Sequence, residues 1–134
     1  MTLNNSLNDS VIRIKNGHKA HKNNIILKKS NLCIEILKIL RTEGFIKGFK
    51  LENKSIIVYL KYFQDKPAIK DIIYYSSLNV KNTLSFKQLK QLCENNKKRT
   101  NGLSLNILST PTGILSDYNC LNKKSGGKLL ITIL

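Results

Sequence analysis

The chain has 134 residues, with 23 Lys and Arg against 8 Asp and Glu, a formal charge of +15 and a pI near 9.9. A field of that strength makes a folded chain repel itself and is retained where a polyanion neutralises it, so nucleic acid is the first partner class. A hydrophobic content of 41% is enough to bury a core and excludes a disordered basic tail. No stretch reaches the ~20 apolar residues of a membrane span, and the cations are not gathered along one amphipathic helix, which sets a membrane surface aside.

The N-terminus, Met1-Thr2-Leu3-Asn4-Asn5, has neither a signal peptide's apolar core nor an Arg-rich transit start, so an organellar protein of this kind is expected to be made inside its organelle. Leu3, Leu7, Val11 and Ile14 then fall on one helical face and predict a helix over residues 4 to 16, with Gly17 at its C-terminal cap. Arg13, Lys15, Asn16, Lys19, Lys22, Lys28 and Lys29 follow with no acid between Asp9 and Glu35, a pattern expected at an RNA contact or on a solvated face. His18 and His21 lie within this stretch, but no Cys, Asp or Glu stands near enough to complete a metal shell. They are expected to be solvated or phosphate-facing in a basic loop.

Ile25 to Leu27 predicts a short strand, and Ser30 caps a second helix that carries Cys33 and ends at Gly44. Two strands follow, 45 to 51 and 56 to 60, around an Asn53-Lys54 turn. The polar, Pro-containing run Gln64 to Pro67 is the expected boundary, dividing an N-terminal α/β domain, 1–64, from a mainly β C-terminal domain, 65–134. Beyond it, 69 to 75 and 80 to 84 read as strands around Ser76-Ser77, Ser85 caps a short helix through Leu92, and 94 to 102 reads as a polar loop bearing Lys97, Lys98 and Arg99. Leu103, Leu105 and Ile107 alternate as a strand that leads into Ser109-Thr110-Pro111-Thr112-Gly113, and Leu129 to Leu134 form a last strand. The fold class is α+β, with short helices in the second half.

Of the cations 20 are Lys and 3 are Arg, which suits point contact with phosphates more than bidentate reading of bases and disfavours sequence-specific recognition of duplex DNA. There is no Trp, and the five Tyr and four Phe are dispersed, so recognition by shape and backbone is expected. Cys33, Cys93 and Cys120 form no CxxC pair and read as reduced thiols in a reducing compartment, with Cys33 in the core.

Several local words coincide in order and spacing with one family. Asp9 to Gly17 resembles D-x-x-x-R-I-R/K-N-G; Glu43-Gly44-Phe45-Ile46 is similar to E-G-F-I/L; Leu60-Lys61-Tyr62 is similar to L-K-Y. Gly102 to Asp117 resembles a strand followed by S-T-S-x-G-V/I-M/L-S/T-D, and Gly126-Gly127 matches a glycine pair before the last strand. From about Asn5 to the C-terminus the chain resembles the bacterial-type small-subunit ribosomal protein S8 family. The resemblance implies a two-domain α+β protein, a structural constituent of the small ribosomal subunit. Such a protein binds the central domain of small-subunit rRNA directly, supports assembly and translation, and touches neighbouring small-subunit ribosomal proteins.

Carried over by position, the rRNA contacts are Ser109, Thr110, Thr112 and Gly113, with Ser116 nearby and Gly126 and Gly127 on the adjoining loop. Short hydroxyls donate and accept against 2′-OH groups and phosphates, and glycine admits close backbone approach. Lys123, Lys124 and Lys128 add a salt-dependent charge term. Ser116 is expected chiefly as a helix cap. The chain departs from the family at Pro111, which stands for a Ser, and at Lys128, which stands for a usual Glu. No cofactor, metal or small-molecule substrate is expected. The alternatives are a free-standing RNA-binding regulator or RNA chaperone, and an enzyme acting on RNA, which the absence of a nucleophile-base arrangement disfavours. Sixteen Asn, 17 Ile and 20 Lys with 3 Arg suggest AT-rich coding, and hence a mitochondrion, with a plastid or bacterial cytoplasm as alternatives.

Overall fold

The computed structural model describes residues 3–75, 83–100 and 104–133, with residues 3–6 and 96–100 described in backbone alone. The expected Ser76-Ser77 turn, most of the 80–84 strand and the Gly102-Leu103 strand start lie outside the described residues, as do the side chains of Lys97, Lys98 and Arg99. The chain divides into two compact units, Met1–Lys70 and Asp71–Leu134.

In the first unit, α1 (Leu3–Lys19) buries Leu7, Val11 and Ile14, the face its spacing predicts. It runs past Gly17, which is therefore not a cap. A Cβ there would sit 2.6 Å from Ile25 Cγ2, so this glycine lets the helix seat closely on β1 (Asn24–Lys28). Strand β1 alternates exposed and buried, with Ile25 and Leu27 turned inward.

Ser30, extended at φ −152, caps α2 (Asn31–Thr42), its hydroxyl accepting from the Cys33 N–H at 3.2 Å. Cys33, Ile36, Leu37 and Leu40 are buried, and the Cys33 thiol shares a hydrogen bond with the buried Ser10 hydroxyl at 3.1 Å. Strands β2 (Ile46–Leu51) and β3 (Ser55–Leu60) complete an antiparallel sheet of order β1-β3-β2. Helix α1 packs on β1, α2 on β2, and the helices on each other, so one sheet face forms the core of this unit.

A small hairpin follows, β4 (Tyr62–Phe63) with β5 (Lys66–Pro67). Its two turn residues, Gln64 and Asp65, have φ of 52° and 64°, the left-handed pair that a two-residue hairpin of this hand needs. The polar run read as a boundary is thus a tight turn within the first unit, and the division between units falls after Lys70.

The second unit is built on an antiparallel sheet of β6 (Ile72–Tyr74), β10 (Gly127–Ile133), β8 (Leu105–Thr110) and β9 (Gly113–Ser116), in that order, with β7 (Thr83–Leu84) beside the start of β10. Helix α3 spans Phe86–Thr100, which corrects the expectation of a short helix and a polar loop. Ser85 and Gln88 cap it reciprocally, Gln88 Oε1 accepting from the Ser85 N–H at 2.9 Å and Ser85 Oγ from the Gln88 N–H at 3.3 Å. The helix continues because neither Gly nor Pro occurs before Gly102, and Lys and Arg are good helix formers. Leu89 and Cys93 of α3 meet Leu108, Cys120 and Leu129 in the core. Strand β8 is buried on both faces, so Asn106 is as enclosed as Leu105 and Ile107, against a reading by simple alternation.

Candidate nucleic-acid interface

Ser109 to Asp117 is not an open loop but a β-hairpin followed at once by α4 (Asp117–Asn122). Thr110 pairs with Gly113 across the two residues Pro111 and Thr112. Pro111 takes the turn position that its ring angle suits, and Gly113, at φ 126°, supplies the conformation that closes the turn. The Thr110 hydroxyl donates to the Gly113 carbonyl at 2.8 Å and lies 3.0 Å from the Thr112 hydroxyl. Thr112 and Gly113 are exposed, Ser109 and Thr110 half-buried, and a Cβ at Gly113 would meet nothing within 4 Å. The tip is therefore a small, fixed arc of hydroxyls with open space in front of its glycine.

Ser116 ends the hairpin as the N-cap of α4, its Oγ accepting from the Asn119 N–H at 3.4 Å, and it is 1% exposed. Its expected role as a cap holds, and its hydroxyl is turned away from solvent. The glycine pair adjoins the hairpin from the other side. A Cβ on Gly126 would collide with the Leu84 carbonyl oxygen, and one on Gly127 would lie 2.7 Å from the Ser109 carbonyl oxygen. Lys128 is the register partner of Ser109, which places Ser109, Thr110, Gly127 and Lys128 side by side. Lys123 and Lys124 are exposed just beyond α4, which packs beside β8 and β9.

Behind the hairpin lies a polar network that the sequence reading missed. Asn106, fully buried, donates through Nδ2 to Asp117 Oδ2 at 3.2 Å and accepts through Oδ1 from the Thr132 hydroxyl at 2.7 Å. Tyr75 OH joins Thr132 at 3.1 Å, and the Cys93 thiol donates to Asp117 Oδ2 at 3.4 Å. A fully connected network in low dielectric specifies one arrangement. This one ties α4, and with it the base of the hairpin, to the centre of the sheet. Burial and the Asp117 charge push the Cys120 thiol up, with Lys123 opposing, so this cysteine stays a neutral core group. The network had a signal in the sequence: Asn106 interrupts the apolar run from Leu105 to Leu108 and Thr132 the apolar run from Leu129 to Ile133, and the two pair in register.

The remaining predicted contact residues, Arg13, Lys15, Asn16, Lys22, Lys28 and Lys29, lie on the first unit. Arg13, Asn16 and Lys22 line a concavity of about 950 Å³ together with His21 and Ile26, whereas Lys28 and Lys29 stand at the end of β1 and just after it. Arg13 is held by Asp9 at 3.2 Å and by the Ile26 carbonyl at 3.4 Å; Lys29 donates to the Glu52 carbonyl at 3.2 Å. Lys15 is exposed on α1.

His18 does not lie in a basic loop. It is in α1, 3% exposed, with Nδ1 3.3 Å from the Ile69 carbonyl oxygen and its ring 5.3 Å from that of Tyr62. Burial pushes its imidazole below the ordinary value, the Ile69 carbonyl opposing and the His21 charge adding to the fall. His21 is exposed and stacks on Tyr62, whose hydroxyl donates to the Lys22 carbonyl at 2.6 Å. Among the described residues no group of three or more His, Cys, Asp or Glu could hold a metal ion.

A basic α+β chain with a braced hydroxyl hairpin and cations over both units has the chemistry of a polyanion-binding protein. Comparison with known proteins gives the family. The family model for Ribosomal protein S8 matches residues 5–134. Small ribosomal subunit protein uS8 of Sphingopyxis alaskensis is 31% identical over 140 residues, covering 99% of this chain and 99% of the relative. The proteins of that name from Zymomonas mobilis and Caulobacter vibrioides are 32% identical over 137 and 138 residues, with the same coverage. The chain belongs to the ribosomal protein S8 family, whose members are structural constituents of the small ribosomal subunit and not enzymes.

Proposed function

We propose that this chain docks on the central domain of small-subunit rRNA through the Thr110–Gly113 hairpin, supporting subunit assembly. The observation that carries the reading is the fixed arc of Thr110 and Thr112 hydroxyls beside an exposed Gly113 with open space before it. Thr110 is committed to holding the turn, which leaves Ser109 and Thr112 as the hydroxyls that meet 2′-OH groups and phosphates. Lys123, Lys124 and Lys128 neutralise phosphates around that contact, and the Arg13, Lys15, Asn16, Lys22, Lys28 and Lys29 surface adds a second charged contact. Gly126 and Gly127 act through shape, because side chains there would drive β10 away from β7 and from the hairpin. Neighbouring small-subunit ribosomal proteins are its protein partners, and the Lys-, Ile- and Asn-rich composition supports a mitochondrial ribosome; the rRNA that copurifies tests the compartment.

The test of the hairpin is direct. Replacing Ser109 and Thr112 together by Ala removes two hydrogen-bonding groups worth about 1 kcal/mol each and should weaken binding to the central-domain rRNA stem by about thirtyfold. Melting should not move. Equal binding by the double variant would reject the assignment.

A further inference from the structure

The first unit's sheet has one face covered by α1 and α2 and the other open. On the open side the register places Tyr59 between Asn24 and Gly48, and Ile57 between Ile26 and Lys50, with Lys28 opposite Ser55 in the next row. Tyr59 is 37% exposed and Ile26 59% exposed, large apolar groups that a free sheet face rarely presents together. Gly48 leaves room beside the tyrosine, since a Cβ there would meet nothing within 4 Å. The face carries two lysines, Lys28 and Lys50, against one carboxylate, that of Glu52, which closes the β2–β3 turn opposite Ser55. Its outer strand, β1, leads through Ile26 into the concavity lined by Arg13, Asn16 and Lys22.

We infer that this open face holds a short run of unpaired RNA nucleotides, with a base stacked on Tyr59, a second against Ile26 and Ile57, and flanking phosphates on Lys28 and Lys50. An aromatic ring and aliphatics at the centre with cations at the rim match the chemistry of single-stranded RNA, whose bases offer apolar faces and whose backbone offers charge. A duplex would bury its bases and leave Tyr59 and Ile26 unmatched, and an apolar protein partner would leave the two lysines without opposite charge. The strand would run off the β1 edge into the concavity, where Arg13 and Lys22 continue the line of phosphate contacts. The inference rests on the reading of this chain as an rRNA binder, but it concerns a different unit and a different RNA form from the hairpin contact.

The experiment compares two RNAs on the full chain: an unstructured ten-nucleotide RNA of A and U, and the central-domain rRNA stem. Tyr59→Leu, which keeps apolar bulk, should weaken decamer binding by about tenfold, and Tyr59→Phe, which keeps the ring, should bind it as wild type does. Stem binding should be unchanged in both. Replacing Lys28 and Lys50 by Ala should lower the slope of log affinity against log salt for the decamer by about 1.4. If the wild-type chain does not bind the decamer, or Tyr59→Leu binds it equally, the inference is overturned, whether the face takes a protein, a second copy or nothing. A wild-type chain that binds the decamer but does not recognise the stem would instead sink the hairpin assignment alone.

Discussion

The two units present their candidate RNA surfaces by opposite means. In the second, short hydroxyls are fixed by a Pro and Gly turn, by steric crowding at the glycine pair and by the Asn106 network behind them. In the first, long cationic side chains project from α1 and β1, whose packing rests on Leu7, Val11, Ile14, Ile25 and Leu27 on the opposite side. Shape is therefore coupled to stability in the second unit, whereas charge is separable from stability in the first. A substitution in the sheet core of the second unit should change recognition without touching RNA. Removal of a cation from the first should change affinity without touching the fold.

Three measurements would break or sharpen that contrast. The largest effect is expected for Gly126→Ala, whose methyl would strike the Leu84 carbonyl: a loss of about 3 kcal/mol of stability, read by thermal melting, with stem binding lost in proportion. Next comes Asn106→Ala, which strips a donor from Asp117 and an acceptor from Thr132 deep in the sheet, for a loss of about 2 kcal/mol and a loosened hairpin. Unchanged melting in either would show that the coupling of shape to stability is absent. The smallest effect belongs to His18. Its folded-state pKa lies below the ordinary 6.5, so above that pH the imidazole is neutral whether the chain is folded or not. As pH falls through 6.5 the unfolded chain binds a proton that the folded one resists. Stability is then lost toward the folded pKa at no more than about 1.4 kcal/mol per pH unit. His18→Phe should flatten melting temperature between pH 7.5 and 5.5; an unaltered slope would place the titration elsewhere.

Much of this was legible along the chain because the governing forces are local. The apolar spacing of α1, the Ser30 cap, the hairpin of β2 and β3 and the Ser116 cap all depend on residues a few positions apart. The segment Ser109 to Asp117 was visible as a motif for the same reason. What escaped depends on distant partners. His18 is buried against a carbonyl 51 residues away, Gly17 is small because Ile25 approaches it, and Asn106 lies inside because Thr132 and Asp117 satisfy it. The length of α3 was missed for a different cause: polar composition was read as loop, although nothing in it stops a helix.

The three cysteine thiols are all buried and none is in a disulfide, Cys33 in the first unit and Cys93 and Cys120 in the second. None of them reacts without an opening of its surroundings, so alkylation at each position times the breathing of its own unit. Located by peptide mass, the modified cysteine then tells which half of the molecule an RNA ligand clamps shut.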